Sequence, residues 1–395
     1  MNQRFYSLDV FRGATVALMI LVNNPGSWDH IYAPLDHAEW HGCTPTDLVF
    51  PFFLFALGNA IAFVLPRLQE QNIFWPKVIK RTLLIFTIGI LLNWFPFVKW
   101  VEGDLVFKPW AFINADGNPD GVRIMGVLQR IALCYFFASV IIHFFKEKGA
   151  FVASAFLLLA YWFLCVWMSP TDSFSLTGYF GRNFDTAVLQ QNHMLHIDKV
   201  GGKVFYFDYE GLASTVGAIV QVIFGYFIGN YILQKGKTNE MLNGLFVAAC
   251  VLIFTGYCWD MVFPINKKIW SSSYTVYTSG LALLTLSVLI YLIEFKNNKG
   301  IWSRFFDVFG KNALFIFVLS GALPRLLNLI RIGNGMDGVG KPKYLSPFGW
   351  FYEHICKLIL PMDPRIGSLF YALCFIAMMW FFAWLLDKKK IYIKV

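Results

Sequence analysis

Long apolar runs separated by shorter polar stretches recur along the whole chain. A helix that crosses the hydrocarbon core of a bilayer, ~30 Å thick, needs about 20 predominantly apolar residues. Runs of that length are frequent, although the first and the ninth also carry charged residues. We therefore predict an all-α polytopic membrane protein with about ten transmembrane helices. The predicted spans are residues 8–24, 46–65, 78–97, 122–145, 150–168, 210–233, 242–263, 273–294, 305–327 and 366–386.

Composition agrees with a membrane protein. The 395 residues are 57% hydrophobic and 14% charged, whereas a soluble domain carries about 25% charged residues. Segment 349–361 is too short to span easily, and we predict that it lies in the interface or re-enters the membrane. No Pro- or Gly-rich linker marks a second domain. We therefore predict a single transmembrane domain over residues 1–395.

The short loops on one side of the predicted spans are all basic. Loop 25–45 contains no Lys or Arg. Because basic loops remain on the cytoplasmic side, we predict cytoplasmic termini and an extracytoplasmic loop 25–45. The net charge of +9 then reflects topology, and no nucleic-acid partner is expected. The basic set is Arg4, Arg67, Lys77, Lys146, Lys148, Lys235, Lys237, Lys296, Lys299, Arg304 and Lys388 to Lys390.

The cysteine pattern gives no reason to expect a disulfide framework or a zinc site. The seven Cys are scattered, most lie in apolar runs, and no CxxC pair occurs. Cys43 alone lies in a candidate site loop, and we interpret it as a buried or incidental thiol.

Several polar residues lie inside predicted spans, where a charge costs about 2.5–3.5 kcal/mol on insertion scales. Asp9 and Arg12 are three residues apart and can pair across one helical turn. Asn23 follows Arg12 by eleven residues, so both lie on one helix face. This face is either a structural stripe or the wall of a polar tunnel. In span four, Arg123 and Arg130 share a face at a separation of seven.

Basic residues gather at the predicted cytoplasmic ends of spans one, three and nine. Arg12, Lys80, Arg81 and Lys311 form a potential ring, and Asn312 adjoins it. Such a ring suits phosphate groups. The alternative is ordinary snorkelling of long side chains to lipid headgroups, and for Lys80 and Arg81 that alternative is favoured.

On the opposite side, residues 259–274 join spans seven and eight and contain Asp260, Asn266, Lys267 and Lys268. Extracytoplasmic Lys residues run against the positive-inside rule. We therefore expect Lys267 and Lys268 to have specific partners.

Loop 25–45 contains the chemistry-bearing residues directly before span two. His37 and His41 are four apart, which on a helix suits a metal, but Pro34, Gly42 and Pro45 argue against a long helix and HExxH is absent. We expect no metal. His37 is then either an inert structural histidine or a general base.

Eight blocks together carry a family resemblance that covers most of the chain, from residue 7 to about 320. The chain resembles the transmembrane heparan-α-glucosaminide N-acetyltransferase family, which includes a lysosomal enzyme and bacterial relatives. The blocks are SLDVFRG (7–13), LVNNPG (21–26), HAEWHG (37–42), TDLVFPFFLFALG (46–58), GVLQRIALCYF (126–136), EGLASTVGAI (210–219), PINKKIWSSSY (264–274) and FGKNALFIF (309–317).

The resemblance implies acetyl transfer from cytosolic acetyl-CoA to the amine of a glucosamine-type sugar on the extracytoplasmic side. It also implies a homodimer and, for a bacterial relative, the inner membrane. His37 and Asn23 match the family's catalytic positions, whereas His41 falls where the lysosomal enzyme has Asn. Lysosomal members carry an additional luminal region and span before the first block, so we expect the acetyl-transfer machinery here without that region.

The expected mechanism uses His37 as general base or as transiently acetylated nucleophile. Asn23 donates a hydrogen bond to the oxyanion. Asp47 orients His37, binds the acceptor or caps the second span. Trp40 stacks on the sugar or belongs to the interfacial aromatic belt. Asp260, Lys267 and Lys268 complete the expected acceptor site.

We expect CoA phosphates near the cytoplasmic ends of the spans and the thioester near loop 25–45. The expected CoA-binding residues are Arg12, Arg81, Lys311, Asn312 and Arg130. His37 and Asn23 are expected to line one cavity that opens to both faces or narrows between them. Two alternatives are an O-acyltransferase of an envelope glycan and an amino-sugar transporter without chemistry.

Overall fold

The computed structural model describes residues 5–101, 103–114, 116–169, 172–200, 203–336, 342–359 and 362–393. Helices make up most of this part of the chain. They are α1 (Tyr6–Asn23), α2 (Val49–Glu70), α3 (Phe74–Trp94), α4 (Val127–Met168), α5 (Phe180–Leu189), α6 (Thr215–Lys235), α7 (Asn239–Asp260), α8 (Ser272–Ile290), α9 (Ile301–Lys311), α10 (Ala313–Leu327), α11 (Pro347–Phe351), α12 (Lys357–Ile359) and α13 (Pro364–Lys388).

The prediction of an all-α polytopic membrane protein is confirmed. In the described ranges, seven helices are long and apolar enough to cross a membrane, and α9 with α10 makes an eighth if the bent pair is one span. Every predicted span falls on a helix, and the fourth and fifth fall on the two parts of α4. Helix α3 carries three basic residues, Lys77, Lys80 and Arg81. This helix is not among the seven, so the count of ten spans stays a prediction. The cytoplasmic location of the two termini also stays a prediction.

Two breaks interrupt the helices. One lies between two predicted spans, and the other lies inside a single predicted span. Lys146 has φ 57° and ψ −168° inside α4, between the fourth and fifth predicted spans. Helices α9 and α10 are bent by 79° at Asn312. The sequence predicted a span over 305–327 but gave no sign of this bend, because apolar periodicity does not report a change of helix direction.

The long loops contain two-stranded antiparallel hairpins that the sequence analysis did not predict. In the described residues they pair β1 (Val98–Val101) with β2 (Asp104–Phe107), β3 (Ala111–Ile113) with β4 (Pro119–Gly121), β5 (His196–Val200) with β6 (Lys203–Tyr206), and β7 (Ile332–Met336) with β8 (Pro342–Leu345). Strands of three to five residues are too short to give a clear alternating pattern. All four hairpins lie in segments that were predicted to be extracytoplasmic loops.

Helices α2 and α6 form one of the closest contacts in the fold. A Cβ placed on Gly58 would lie 1.9 Å from the Val222 carbonyl oxygen, and a Cβ on Gly225 would lie 2.1 Å from the Phe55 carbonyl oxygen. Small residues allow two helix backbones to approach in a membrane, where apolar lipid tails provide no hydrophobic drive for association. This contact fixes α2, whose N-terminal end carries the candidate site.

We predict that Gly58→Ala destabilises the protein by about 1–3 kcal/mol, because the added methyl group has no room between α2 and α6. The measurement is the midpoint of thermal unfolding in detergent micelles. Gly333→Ala is the matched control, since a Cβ at Gly333 has nothing within 4 Å. Equal midpoints for the two variants would contradict the close approach of α2 and α6.

Candidate active site

Two loops that are far apart in sequence meet at the N-terminal end of α2. The Gly42 N–H donates to the Ile265 carbonyl oxygen at 2.7 Å, and the Asn266 side-chain amide lies 3.4 Å from His41 Nδ1. Gly42 has φ +105°, a backbone conformation that favours glycine. The contact brings the histidine loop, 25–45, against the lysine loop, 261–271.

His37, Asp47 and Lys267 are in mutual contact at this junction. His37 Nδ1 lies 2.7 Å from Asp47 Oδ1. The Lys267 Nζ lies 3.0 Å from His37 Nδ1, 3.3 Å from His37 Nε2 and 3.5 Å from Asp47 Oδ1. Since an ionised carboxylate only accepts hydrogen bonds, we assign the imidazole proton to Nδ1. Nε2 then carries the lone pair, and Lys267 Nζ is the group in contact with it.

Backbone donors hold the Asp47 carboxylate in place. The N–H groups of Thr44 and Ala38 donate to Oδ2 at 3.0 and 3.1 Å, and Thr44 and Asp47 form a capping box. The Tyr274 hydroxyl donates to the Asp47 carbonyl oxygen at 2.5 Å. The Asp47 side chain is only 1% exposed, whereas His37 is 38% exposed. Asp47 therefore both caps the helix and orients His37, two of the roles that the sequence left open.

Two adjoining cavities meet at His37. The inner cavity, about 110 Å³, lies between α1, α2, α4 and α10, and its wall includes Asn23 and His37. The outer cavity, about 100 Å³, is lined by the loops. His37, Glu210 and Lys267 line both. His37 and Asn23 thus share a cavity as the sequence predicted, while their chemical roles stay predictions.

Aromatic rings and a lysine form the wall of the outer cavity. Lys268 Nζ lies 5.8 Å from the Trp40 ring centroid and 5.2 Å from that of Tyr209, and it donates to the Glu39 carbonyl oxygen. Trp40 Nε1 donates to the Phe174 carbonyl oxygen at 2.7 Å. Trp40 is therefore fixed within the protein with part of its surface on the cavity, where a sugar ring can stack. The expectation that Lys267 and Lys268 have partners agrees with these contacts.

Asp260 does not line either cavity in the described structure. Its Oδ1 accepts the Ile265 N–H at 2.5 Å, which closes the turn at the start of the lysine loop. The sequence analysis placed Asp260 in the acceptor site because of its proximity in sequence to Lys267. The contact instead indicates that it positions the lysine loop.

None of the five residues expected to bind CoA is among the residues that line the two cavities in the described structure. Arg12 lies 3.4 Å from Asp9, and Lys311 pairs with Asp307 and Asp387 at 2.8 and 3.1 Å. These ion pairs leave less positive charge for phosphate than the sequence suggested. The Arg81 guanidinium lies over the Tyr135 ring at 4.7 Å.

Asn312 and Arg130 have internal contacts that the sequence did not reveal. Asn312 donates to the Ile391 carbonyl oxygen at 3.1 Å and accepts the Ile393 N–H at 2.9 Å, so it anchors the segment after α13. Arg130 is fully buried, and its Nη2 donates to the Gly211 carbonyl oxygen at 2.9 Å. The Arg130 guanidinium also lies 5.1 Å from the ring centroid of Trp270, which lines the outer cavity.

Two acids that were not predicted as site residues, Asp208 and Glu210, share Arg123 as an ion-pair partner. Arg123 Nε donates to Asp208 Oδ2 at 2.9 Å, and its Nη2 contacts both Asp208 and Glu210. Burial opposes the charged guanidinium, but the two carboxylates outweigh burial and raise the pKa of Arg123. The available signal was Glu210, the only acid in the block EGLASTVGAI at the rim of span six, with Asp208 two residues before it.

Burial changes the titration of three further groups at the site. It lowers the pKa of Lys267, while Asp47 and Glu210 act in the opposite direction. It lowers the pKa of His41, against the effect of Asp260. It raises the pKa of the Cys43 thiol to about 12. Since the thiolate is the reactive form of cysteine, Cys43 is not a nucleophile at neutral pH.

Comparison with known proteins agrees with the predicted resemblance. A sequence model for the catalytic region of heparan-α-glucosaminide N-acetyltransferase matches residues 4–195. The human protein of that name is 27% identical over 369 residues, which cover 80% of this chain and 52% of the human protein. The mouse protein is 26% identical over 80% of this chain and 53% of its own length. The chain therefore resembles this family and spans about half the length of these relatives.

We predict that Cys43 in the folded protein is alkylated by iodoacetamide very slowly at about pH 7.5, and that the rate rises about tenfold per pH unit toward the pKa of about 12. The sign follows from burial, which disfavours the thiolate. Peptide mass spectrometry measures the rate, and Cys43 in denatured protein is the control. Equal rates in folded and denatured protein at that pH would contradict the prediction.

Proposed function

We propose that this relative of the heparan-α-glucosaminide N-acetyltransferases is a membrane-embedded N-acetyltransferase. It transfers the acetyl group of cytosolic acetyl-CoA to the amine of a glucosamine-type sugar on the extracytoplasmic side. We place it in a bacterial inner membrane, with loop 25–45 outside. The homodimer that the resemblance implies stays a prediction.

The observation that carries the proposal is the His37–Asp47 pair at the boundary of two cavities. The 2.7 Å contact of Nδ1 with a buried carboxylate holds the imidazole with Nε2 unblocked by Asp47. A histidine held this way is suited to general-base catalysis, which contributes about 10²–10⁴ in rate. The location between an inner and an outer cavity suits two substrates that arrive from opposite sides.

In the proposed reaction, His37 Nε2 removes one proton from the acceptor ammonium, and the neutral amine attacks the thioester carbon. The C–N bond forms first and gives a tetrahedral intermediate, and the C–S bond breaks when this intermediate collapses. The imidazolium returns its proton to the CoA sulfur, and the second amine proton leaves to water. The same Nε2 can alternatively carry the acetyl group as an acetyl-imidazole before the amine receives it.

The tetrahedral intermediate needs hydrogen-bond donors for its oxyanion. Asn23 and Lys267 both line the inner cavity with His37, and their side chains supply N–H groups. We propose that these two residues share this role. The inner cavity, about 110 Å³, is smaller than the ~300–1,000 Å³ of typical ligand sites. We therefore propose that it holds the thioester and the end of the pantetheine arm, while the nucleotide stays outside it.

For the CoA phosphates we retain Arg12, Arg81 and Lys311 as proposed contacts at the cytoplasmic ends of their helices. Arg130 and Asn312 are left out of this proposal. Arg130 is buried beside Gly211, and the Asn312 side chain binds the backbone after α13. On the acceptor side, Trp40 and Lys268 line the outer cavity.

We predict that His37→Ala lowers kcat for acetyl transfer from labelled acetyl-CoA to glucosamine by about 10²–10⁴, because the base is lost. The assay uses purified protein in detergent or reconstituted vesicles. His30→Ala is the matched control, since His30 is in the same loop but lines neither central cavity.

The outcomes of this assay separate the function classes. CoA release with acetylation of a glycan hydroxyl would favour an O-acyltransferase. No turnover of acetyl-CoA with any amine or sugar would contradict the proposed enzyme and favour a transporter. Transfer by His37→Ala at the wild-type rate would contradict the role of His37 alone.

We predict that Asp47→Asn lowers kcat by at least about 10²-fold and leaves the KM for acetyl-CoA within about twofold, because an amide no longer fixes the imidazole tautomer. The pH profile of kcat should also shift, which a merely structural role would not require. Asp29→Asn, an exposed change in the same loop, is the control. An Asp47→Asn variant with normal kcat and pH profile would show that Asp47 only caps α2.

A further inference from the structure

The structure brings Glu210 to the point where both cavities meet, yet neither the sequence motifs nor the base, donor and stacking roles above account for it. Glu210 lines the inner cavity with Asn23 and the outer cavity with Trp40, and in both it adjoins His37 and Lys267. Its side chain is 14% exposed. Arg123 contacts this carboxylate from the protein side, and the carboxylate also lies on the wall of both cavities.

We propose that Glu210 binds the ammonium group of the acceptor and thereby selects an amine over a hydroxyl. This inference rests on the proposed acetyl transfer and names the residue that recognises its acceptor. In this role Glu210 is a binding residue that holds the amine beside His37, and His37 remains the base.

The surroundings of Glu210 preorganise its carboxylate without neutralising it. Arg123 contacts both Asp208 and Glu210, so one guanidinium is shared between two acids. Asp208 is buried and takes two contacts from Arg123. It also accepts the Glu210 N–H at 2.9 Å. The two acids together carry one more negative charge than Arg123 cancels, and the more exposed acid faces the cavities.

The backbone that follows Glu210 is held as firmly as its side chain. Arg130 donates to the Gly211 carbonyl oxygen at 2.9 Å, and Asp185 Oδ1 accepts the Ala213 N–H at 3.0 Å. A binding group fixed before the ligand arrives loses little conformational entropy on binding. Two buried charged residues thus keep the Glu210 carboxylate at the boundary of the cavities.

Lys267 shows what a cation experiences at this location, where burial lowers its pKa and the carboxylates of Asp47 and Glu210 act against burial. Its Nζ lies within 3.5 Å of both His37 nitrogens and Asp47, and the negative charge of Glu210 stabilises its ammonium. An acceptor ammonium between Glu210 and His37 would occupy a similar electrostatic environment. A sugar hydroxyl in the same position carries no charge and gains no charge-assisted hydrogen bond.

The test compares glucosamine with glucose, which differ only in the amine at the second carbon. Isothermal titration calorimetry in detergent micelles at about pH 6.5, where the amine is mostly protonated, gives the two Kd values. We expect wild-type protein to prefer glucosamine by at least about tenfold. Glu210→Gln should abolish that preference, so that the two Kd values become about equal. It should also raise KM for glucosamine but not for acetyl-CoA.

Glu39→Gln is the matched control, because Glu39 is exposed in the histidine loop and lines neither cavity. It should keep the wild-type preference. If Glu210→Gln lowers the unfolding midpoint, Glu210→Asp retains the charge and should keep the preference within about threefold. A preference that survives in Glu210→Gln, or that is absent from wild-type protein, overturns the assignment.

The two proposals fail in different ways. Selective glucosamine binding that depends on Glu210, without acetyl transfer, would overturn the proposed reaction and support this binding site. Acetylation of glucosamine with unchanged KM in Glu210→Gln would support the reaction and overturn the role of Glu210.

Discussion

The buried carboxylate of Asp47 is the interaction on which the arrangement of the site depends. It accepts hydrogen bonds from the backbone of Ala38 and Thr44 and contacts His37 and Lys267. An ionised carboxylate that is 1% exposed is costly unless donors surround it. Because these donors come from the histidine loop and the lysine loop, the need to satisfy one acid next to the start of α2 joins three segments. The orientation of His37 is a consequence of that need.

The site therefore lies at the end of the membrane helices, with its polar groups in loops and only its inner wall within the helix bundle. Apolar side chains such as Val49, Phe53 and Leu314 line most of the inner cavity, and charged groups gather at its outer boundary. In surroundings that exclude water, each of those charges acts more strongly than it would in solvent. The same surroundings explain why burial alters the pKa of Lys267 and Cys43 in directions that favour their neutral forms.

Much of the fold was accessible from sequence because a lipid environment leaves few options. Spanning segments must satisfy their backbone hydrogen bonds internally, so an apolar run of about 20 residues predicts a helix. The sequence could not predict the 79° bend at Asn312, since the bend leaves the apolar composition of residues 305–327 unchanged. It also placed Lys311 in a phosphate-binding ring, whereas Asp307 and Asp387 pair with it. Asp387 is 76 residues away, and no local pattern connects the two.

The sequence by itself determined the membrane class, the location of the apolar helices and the candidate residues His37 and Asn23, because these follow from local composition and from blocks of adjacent residues. It also predicted that Lys267 has a partner, because a lysine in a predicted extracytoplasmic loop runs against the positive-inside rule. The tertiary structure decided which partners are used. The contacts of Lys267 with His37 span 230 residues, and that of Arg123 with Glu210 spans 87. Ionic contacts of this range have no periodicity in sequence. They form only after helix packing brings the loops together. Each buried charge is then stable only where a group of opposite charge lies next to it.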